Sequence, residues 1–167
     1  NNKRITKPDL ILNELSLKVI SALKQKGERN ETKDGMDISV CVIDLDQSTL
    51  QFSGAHNNLY LIRDKELQEY SADRLSVGYS DEPGSCFTNQ TVDISHGDII
   101  YMATDGYTDQ FGGKEHKRFK SQAFKSLLLK IHDRPLPEQK RRLEQQFNRW
   151  KGKNIQTDDV LVFGLRV

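Results

Sequence analysis

Three acidic groups stand where predicted strands begin or end. Asp37 opens one strand, Asp105 closes another, and Asp158-Asp159 opens the last. A carboxylate at a strand end is held by the sheet ladder and projects into a rim. That placement suits a hard cation, which takes oxygen ligands on rigid supports with solvent access. Gly106, after Asp105, lets the backbone bend sharply and approach a metal or its waters. Two such aspartates from distant parts of the chain could share a metal pair and activate a bridging water for phosphoester attack. Asp-Gly is also the commonest hairpin dipeptide, and an Asp pair before a strand is also an ordinary turn or cap. The stretch Asp105 to Gly113 is not a calcium hand, because Tyr107 and Gln110 stand where that loop wants an oxygen ligand and a glycine.

Other chemistry-bearing letters read as turns or surface. His56, beside Asn57 and Asn58, is a turn histidine before it is a proton shuttle. Ser95-His96-Gly97-Asp98 reads as a hairpin turn, and Ser39, Ser53 and Ser76 sit in no GxSxG elbow. No GxGxxG or Walker loop is present. The basic runs Lys117-Arg118-Phe119-Lys120 and Lys140-Arg141-Arg142 are interleaved with Glu115, Glu138 and Glu144, which marks a solvated face and not a nucleic-acid patch. Cys41 and Cys86 form no metal spacing and read as two reduced, strand-buried thiols of a cytoplasmic domain, with one isolated disulfide as the alternative.

The elements that must carry these residues follow from periodicity. Leu12, Leu15, Val19 and Leu23 recur at helical spacing, with Thr6 as cap, Pro8 in the first turn, and Gly27 with the polar run 28–33 as terminator. Residues 37–45, 50–53 and 59–63 read as strands of an antiparallel meander. The polar tract 73–85 is a surface loop or flap. Strands are predicted over 86–94 and 99–104, and helices over 119–131 (Phe124, Leu127, Leu128 and Ile131 inward) and 135–150 (Leu143, Phe147 and Trp150 inward). Gly152 ends the second helix, and 160–167 is a final strand. Strands, then helices, then one strand predict an α+β domain in which sheets carry helices on an outer face.

The 167 residues make one domain's length of chain, 35% hydrophobic and 29% charged, which bounds the core as lean but present. With 25 basic against 24 acidic side chains, a chain-wide basic footprint for nucleic acid is excluded. No apolar run approaches the ~20 residues of a membrane helix. The opening residues lack a signal-peptide pattern, and a disulfide scaffold, a collagen and a disordered tail are excluded as well.

Three segments in order, DGMDISVCVIDLDQSTLQFSGAHNNLYLIRD, GDIIYMATDGYTDQFGGKEHKRF and QTDDVLVFGLRV, with the helical stretch FKSLLLKIHDRPLPEQKRRLEQQFNRWKG, resemble the SpoIIE-type branch of the metal-dependent protein phosphatases, the PPM family. The resemblance runs from about Ile5 onward. It implies a sandwich of antiparallel sheets flanked by helices, with a dinuclear Mn²⁺ or Mg²⁺ centre whose water attacks phosphoserine or phosphothreonine of a partner protein. By position, Asp105 and Asp158 match metal aspartates. Asp159 stands where many relatives have Asn, and Asp37 where other branches have Thr. With Gly106, these two are further candidates, as ligands or as support behind the ligands. Gly78 lies in the segment resembling the family's flap.

The family's first metal aspartate belongs to an upstream Asp-x-x-Gly-His-Gly-like motif, which this chain does not contain. The resemblance therefore implies a single, partial phosphatase domain over 1–167, its C-terminal part, without the N-terminal strands. Two carboxylates offset little of the charge of two dications, so weak or single metal binding and little turnover are expected from this chain by itself. Unpaired sheet edges would invite a homodimer or swapping. The implied parent is a cytoplasmic bacterial signalling protein with an upstream sensor domain and a phosphoprotein substrate, and with no nucleic-acid or membrane contact by this segment. The alternatives are a non-catalytic phosphatase-like binding or dimerisation module, which the missing upstream aspartate favours, and a small-molecule phosphate hydrolase on the same scaffold.

Overall fold

A computed structural model describes residues 6–25, 34–78, 80 and 84–167. The chain opens on helix α1 (Pro8–Leu23). Proline fits its first turn because the N–H it lacks has no intrahelical partner there. The N-cap is Lys7, not Thr6, and no side chain caps the helix. Lys24, in the left-handed region at φ 53°, ends it before Gly27, which lies outside the described residues together with 28–33.

Strands β1 (Gly35–Met36), β2 (Ile38–Asp44) and β3 (Thr49–Ala55) follow. After them come β4 (Leu59–Arg63), β5 (Glu66–Tyr70), β6 (Val77–Gly78), β7 (Gln90–Asp93) and β8 (Ile99–Ala103). Then come a helical turn α2 (Gly106–Asp109), the pair β9 (Phe111–Gly112) and β10 (Lys117–Arg118), helices α3 (Ser121–Ile131) and α4 (Leu136–Lys151), and β11 (Val162–Arg166). The described chain is thus a mixture of four helices and antiparallel sheets that do not close.

It divides into two compact units. The first holds residues 1–59 and 70–95. Its sheet has the order β2-β3-β7, with β2 and β3 antiparallel from Ile38↔Ala55 to Asp44↔Thr49. Leu12 of α1 is buried with Ala55, Val77 and Phe87. The polar tract 73–85 is therefore not surface loop throughout, since Val77 is fully buried and β6 pairs with β1. Cys86 also departs from expectation: it is exposed and precedes β7, because only Gln90–Asp93 of the stretch 86–94 finds ladder partners on β3. Cys41 is half-buried in β2, and burial pushes its thiol pKa up. Both thiols are free.

The second unit holds residues 60–69 and 96–167. Its sheet has the order β11-β8-β4-β5. The β8–β11 ladder runs antiparallel from Ile99↔Arg166 to Ala103↔Val162. One face carries α3 and α4, whose inward residues Phe124, Leu128, Ile131, Leu143 and Phe147 join Tyr60, Ile62, Ile99, Tyr101 and Tyr107 in a single core. The aromatic side chains meet edge-on or tilted, with Tyr107 centroids 4.9 Å from Phe124 and 5.2 Å from Phe147. Tyr101 and Gln139 bond to each other beside this core: the Tyr101 hydroxyl donates to Gln139 Oε1 at 2.5 Å, and Gln139 Nε2 donates to the carbonyls of His132 and Arg134. Arg63 forks onto buried Asp98 at 2.6 and 2.9 Å, fixing the turn that His96 and Gly97 make before β8. Gly152 terminates α4 at φ 56°.

Candidate metal centre

Asp105 stands one residue beyond the Thr104 that closes the β8 stretch, and it caps α2 with an αR backbone (φ −68°, ψ −19°). Its carbonyl accepts from Asp109 N–H at 2.8 Å and Thr108 Oγ1 at 3.0 Å. Its side chain makes no capping bond, so α2 is held by the backbone carbonyl and not by the carboxylate. After Asp105 the chain makes this single helical turn and then the β9–β10 hairpin.

Asp158 and Asp159 lie on the exposed strap that joins α4 to β11. One Asp158 carboxylate oxygen accepts from the Asp159 N–H at 2.7 Å, and the Asp158 carbonyl accepts from Gln156 Nε2 at 2.8 Å. The strap is tied to the Asp105 segment through Thr104. Thr104 Oγ1 donates to the Asp159 carbonyl at 2.8 Å and accepts from Leu161 N–H at 3.0 Å, while Thr104 N–H donates to the Leu161 carbonyl at 3.1 Å. These bonds extend the β8–β11 ladder beyond its last paired residues and hold 104–106 against 158–161.

Gly106 shows how close the two segments run. A Cβ built on it would overlap the Asp159 carbonyl oxygen and sit 3.0 Å from the carbonyl carbon of Asp159 and 3.3 Å from that of Asp158. Gly106 is buried and helical, so close approach and not an unusual φ is what excludes a side chain. Asp105, Gly106, Asp158 and Asp159 are thereby gathered at one rim of the second unit. Asp37 belongs to the first unit, exposed between β1 and β2, where Ser76 Oγ donates to its carboxylate at 2.8 Å.

The donors suit a hard divalent ion, since exposed aspartates from two separately anchored segments stand on one rim. They fit it in part: among the described residues, no group of three or more His, Cys, Asp or Glu gathers as a ligand set. Asp105 and Asp158 would hold the ion, with the rest of its shell filled from elsewhere.

Lys117, Arg118, Lys140, Arg141 and Arg142 of the basic runs pair with acids. Arg118 bonds Asp109 at 2.9 Å and lies over Phe111, and Lys117 bonds Glu115. Arg142 donates twice to Glu138 and holds that carboxylate below its usual pKa range, with Arg134 and Arg141 adding charge. Residues 104 and 110 carried no signal at sequence level. Thr104 ends the short apolar run 99–104, and Gln110, fully buried, sits in a polar loop.

Comparison with known proteins places this geometry. The family model of Stage II sporulation protein E (SpoIIE) matches residues 3–167. The SiaA-PP2C domain of Pseudomonas aeruginosa superposes with a TM-score of 0.86 at 28% identity, over 97% of this chain and 61% of that domain. The Mn-presoaked phosphatase domain of SpoIIE from Bacillus subtilis gives a TM-score of 0.61 at 15% identity, over 91% of this chain and 73% of that one. The PPM Ser-Thr phosphatase MsPP from Mycobacterium smegmatis, in complex with cacodylate, gives 0.61 at 13%, over 96% and 74%. The chain thus spans less than two thirds of the SiaA domain. No curated protein matches. Among the described residues, no helix is long and apolar enough to cross a membrane. The fold is that of the PP2C phosphatase domains, and the chain belongs to the SpoIIE family.

Proposed function

We propose that this chain is part of a metal-dependent phosphatase that hydrolyses phosphoserine or phosphothreonine monoesters of a partner protein in the cytoplasm. The observation that carries the reading is the interlock of 104–106 with 158–161, which brings Asp105 and Asp158 from 53 residues apart in sequence to one rim. Their carboxylates would hold Mn²⁺ or Mg²⁺. When bound, such an ion lowers the pKa of its water and offsets charge on a phosphoryl oxygen. The chain's own part is to anchor the two carboxylates: Thr104 fixes the strap, Gly106 admits its close approach, and the Asp159 N–H orients the Asp158 carboxylate. Asp159 and Asp37 are assigned no ligand role; Asp159 supports through its backbone. The sensor domain upstream and a homodimer belong to the same proposal.

Replacing Asp105 with Asn in the full-length protein, assayed on a phosphopeptide with Mn²⁺, should remove most activity. Activity near that of the unmodified protein would refute the assignment. A second reading, a non-catalytic phosphatase-like binding module, is favoured by the two-carboxylate donor set. It expects no Mn²⁺ at Asp105 and Asp158, and a tight homodimer or partner complex instead.

A further inference from the structure

Gln110 follows α2 directly and has no exposed surface. Its backbone carbonyl accepts two bonds, from Trp150 Nε1 at 3.0 Å and from Phe119 N–H at 3.1 Å, so the residue is pinned to α4 and to the start of the α3 segment. Its side-chain amide turns the other way. Nε2 donates to the Phe111 carbonyl and to the Ile155 carbonyl, each at 3.0 Å. Ile155 lies on the strap three residues before Asp158, and its side chain is 86% exposed, so no packing of that side chain anchors the strap there.

The orientation of this amide is forced. Two carbonyl oxygens face one end, and only the NH₂ group can serve both. The consequence is that Oε1 is buried without a partner among the described residues. Gln139, the other fully covered glutamine of this unit, uses both ends of its amide. A buried acceptor left unpaired is disfavoured and calls for a reason. At Gln110 the reason is the two donors: an apolar side chain would remove the orphan acceptor and lose both bonds to the strap.

We propose that Gln110 is a positioning residue, whose amide ties the 152–159 strap to the end of α2 and so sets Asp158 against Asp105. This rests on the assignment of those two aspartates as the metal-holding pair. Asp158 is then held from two sides, through Thr104 at the β11 end of the strap and through Gln110 at the α4 end. Residues that orient metal ligands from behind typically change affinity by about 10–100-fold when replaced, and a tie three residues away belongs at the lower end.

The test uses the full-length protein with Gln110→Met, Gln110→Asn and Asp105→Asn. Mn²⁺ binding is read by electron paramagnetic resonance, and amide hydrogen exchange is read on the metal-free protein. The expected result is that Asp105→Asn loses Mn²⁺ binding and Gln110→Met weakens it about tenfold. Exchange should quicken in 152–161 and stay unchanged in α3 and β8. If Asp105→Asn loses Mn²⁺ and Gln110→Met keeps the unmodified affinity, the role of Gln110 is overturned while the metal assignment stands. If Asp105→Asn binds as before, the metal assignment fails, and exchange alone decides whether Gln110 holds the strap: unchanged rates overturn it. Loss of the fold in both Gln110 variants also overturns it, since the residue would then serve the core and not the strap.

Discussion

Gly106→Ala sets two physical effects of opposite sign against each other. Gly106 is the first residue of α2, and helix propensity alone favours alanine by about 1 kcal/mol. Packing opposes it. The new Cβ overlaps the Asp159 carbonyl oxygen and sits 3.0 Å from the carbonyl carbon behind it. Both atoms are backbone, so no side chain can rotate away. Ordinary contact would require the strap or α2 to recede by roughly 1 Å, given that carbon contacts are optimal near 3.5–4.0 Å. That movement strains the Thr104 bonds to Asp159 and Leu161, now 2.8 and 3.0 Å. Overpacking costs about 1–3 kcal/mol, and a clash with backbone atoms belongs at the upper end of that range, above the propensity gain. The expected outcome is a net loss of up to about 2 kcal/mol in urea unfolding. A misplacement of about 1 Å at a reacting centre also costs on the order of 100-fold in activity. A variant as stable as the unmodified protein, with the same activity, would mean that 104–106 and 158–161 do not run this close.

Thr104→Val keeps shape but removes the hydroxyl that joins Asp159 and Leu161; stability in urea should fall by about 1–2 kcal/mol, with a larger proportional loss of Mn²⁺ binding than of stability. Tyr101 is buried, and burial pushes its pKa up to about 12, with Arg166 opposing. The folded state therefore holds the phenol proton more tightly than the unfolded state does. The resulting stability is fully present below about pH 10 and is lost as pH rises towards 12, so alkaline melting should begin in that window and be weaker in Tyr101→Phe.

The long amphipathic helices were legible because their apolar residues repeat at helical spacing and end at clear signals. Phe124, Leu128 and Ile131 are inward, as are Leu143 and Phe147, and Gly152 stops α4. β4 and β8 were legible as short apolar runs. The β5 strand was not, since its residues Glu66–Tyr70 are polar and largely exposed; it exists because β4 offers it an edge. Two-residue strands such as β1 and β6 are likewise set by a partner across the chain and leave no local pattern. Thr6 had the right chemistry for a cap, but the proline-led helix begins one residue later than that cap requires. The alternation at 86–94 suggested a longer strand than β3 can pair. At the site, the residue types of Asp105 and Asp158 were visible, whereas their approach was not. It depends on the β8–β11 register, on a threonine hydroxyl and on the missing side chain of Gly106. Gln110 was invisible because a buried amide in a polar loop has the same letters as a solvated one.

The proposed metal centre requires Asp105 and Asp158 to share one divalent ion. Anomalous diffraction at the manganese edge, on Mn²⁺-soaked crystals of the full-length protein, tests it most directly. The expected result is a peak with a carboxylate oxygen of each residue at about 2.0–2.3 Å, within the range of hard-cation ligation. A fully occupied manganese elsewhere, with the Asp105 and Asp158 carboxylates turned to opposite sides of the rim, would contradict it.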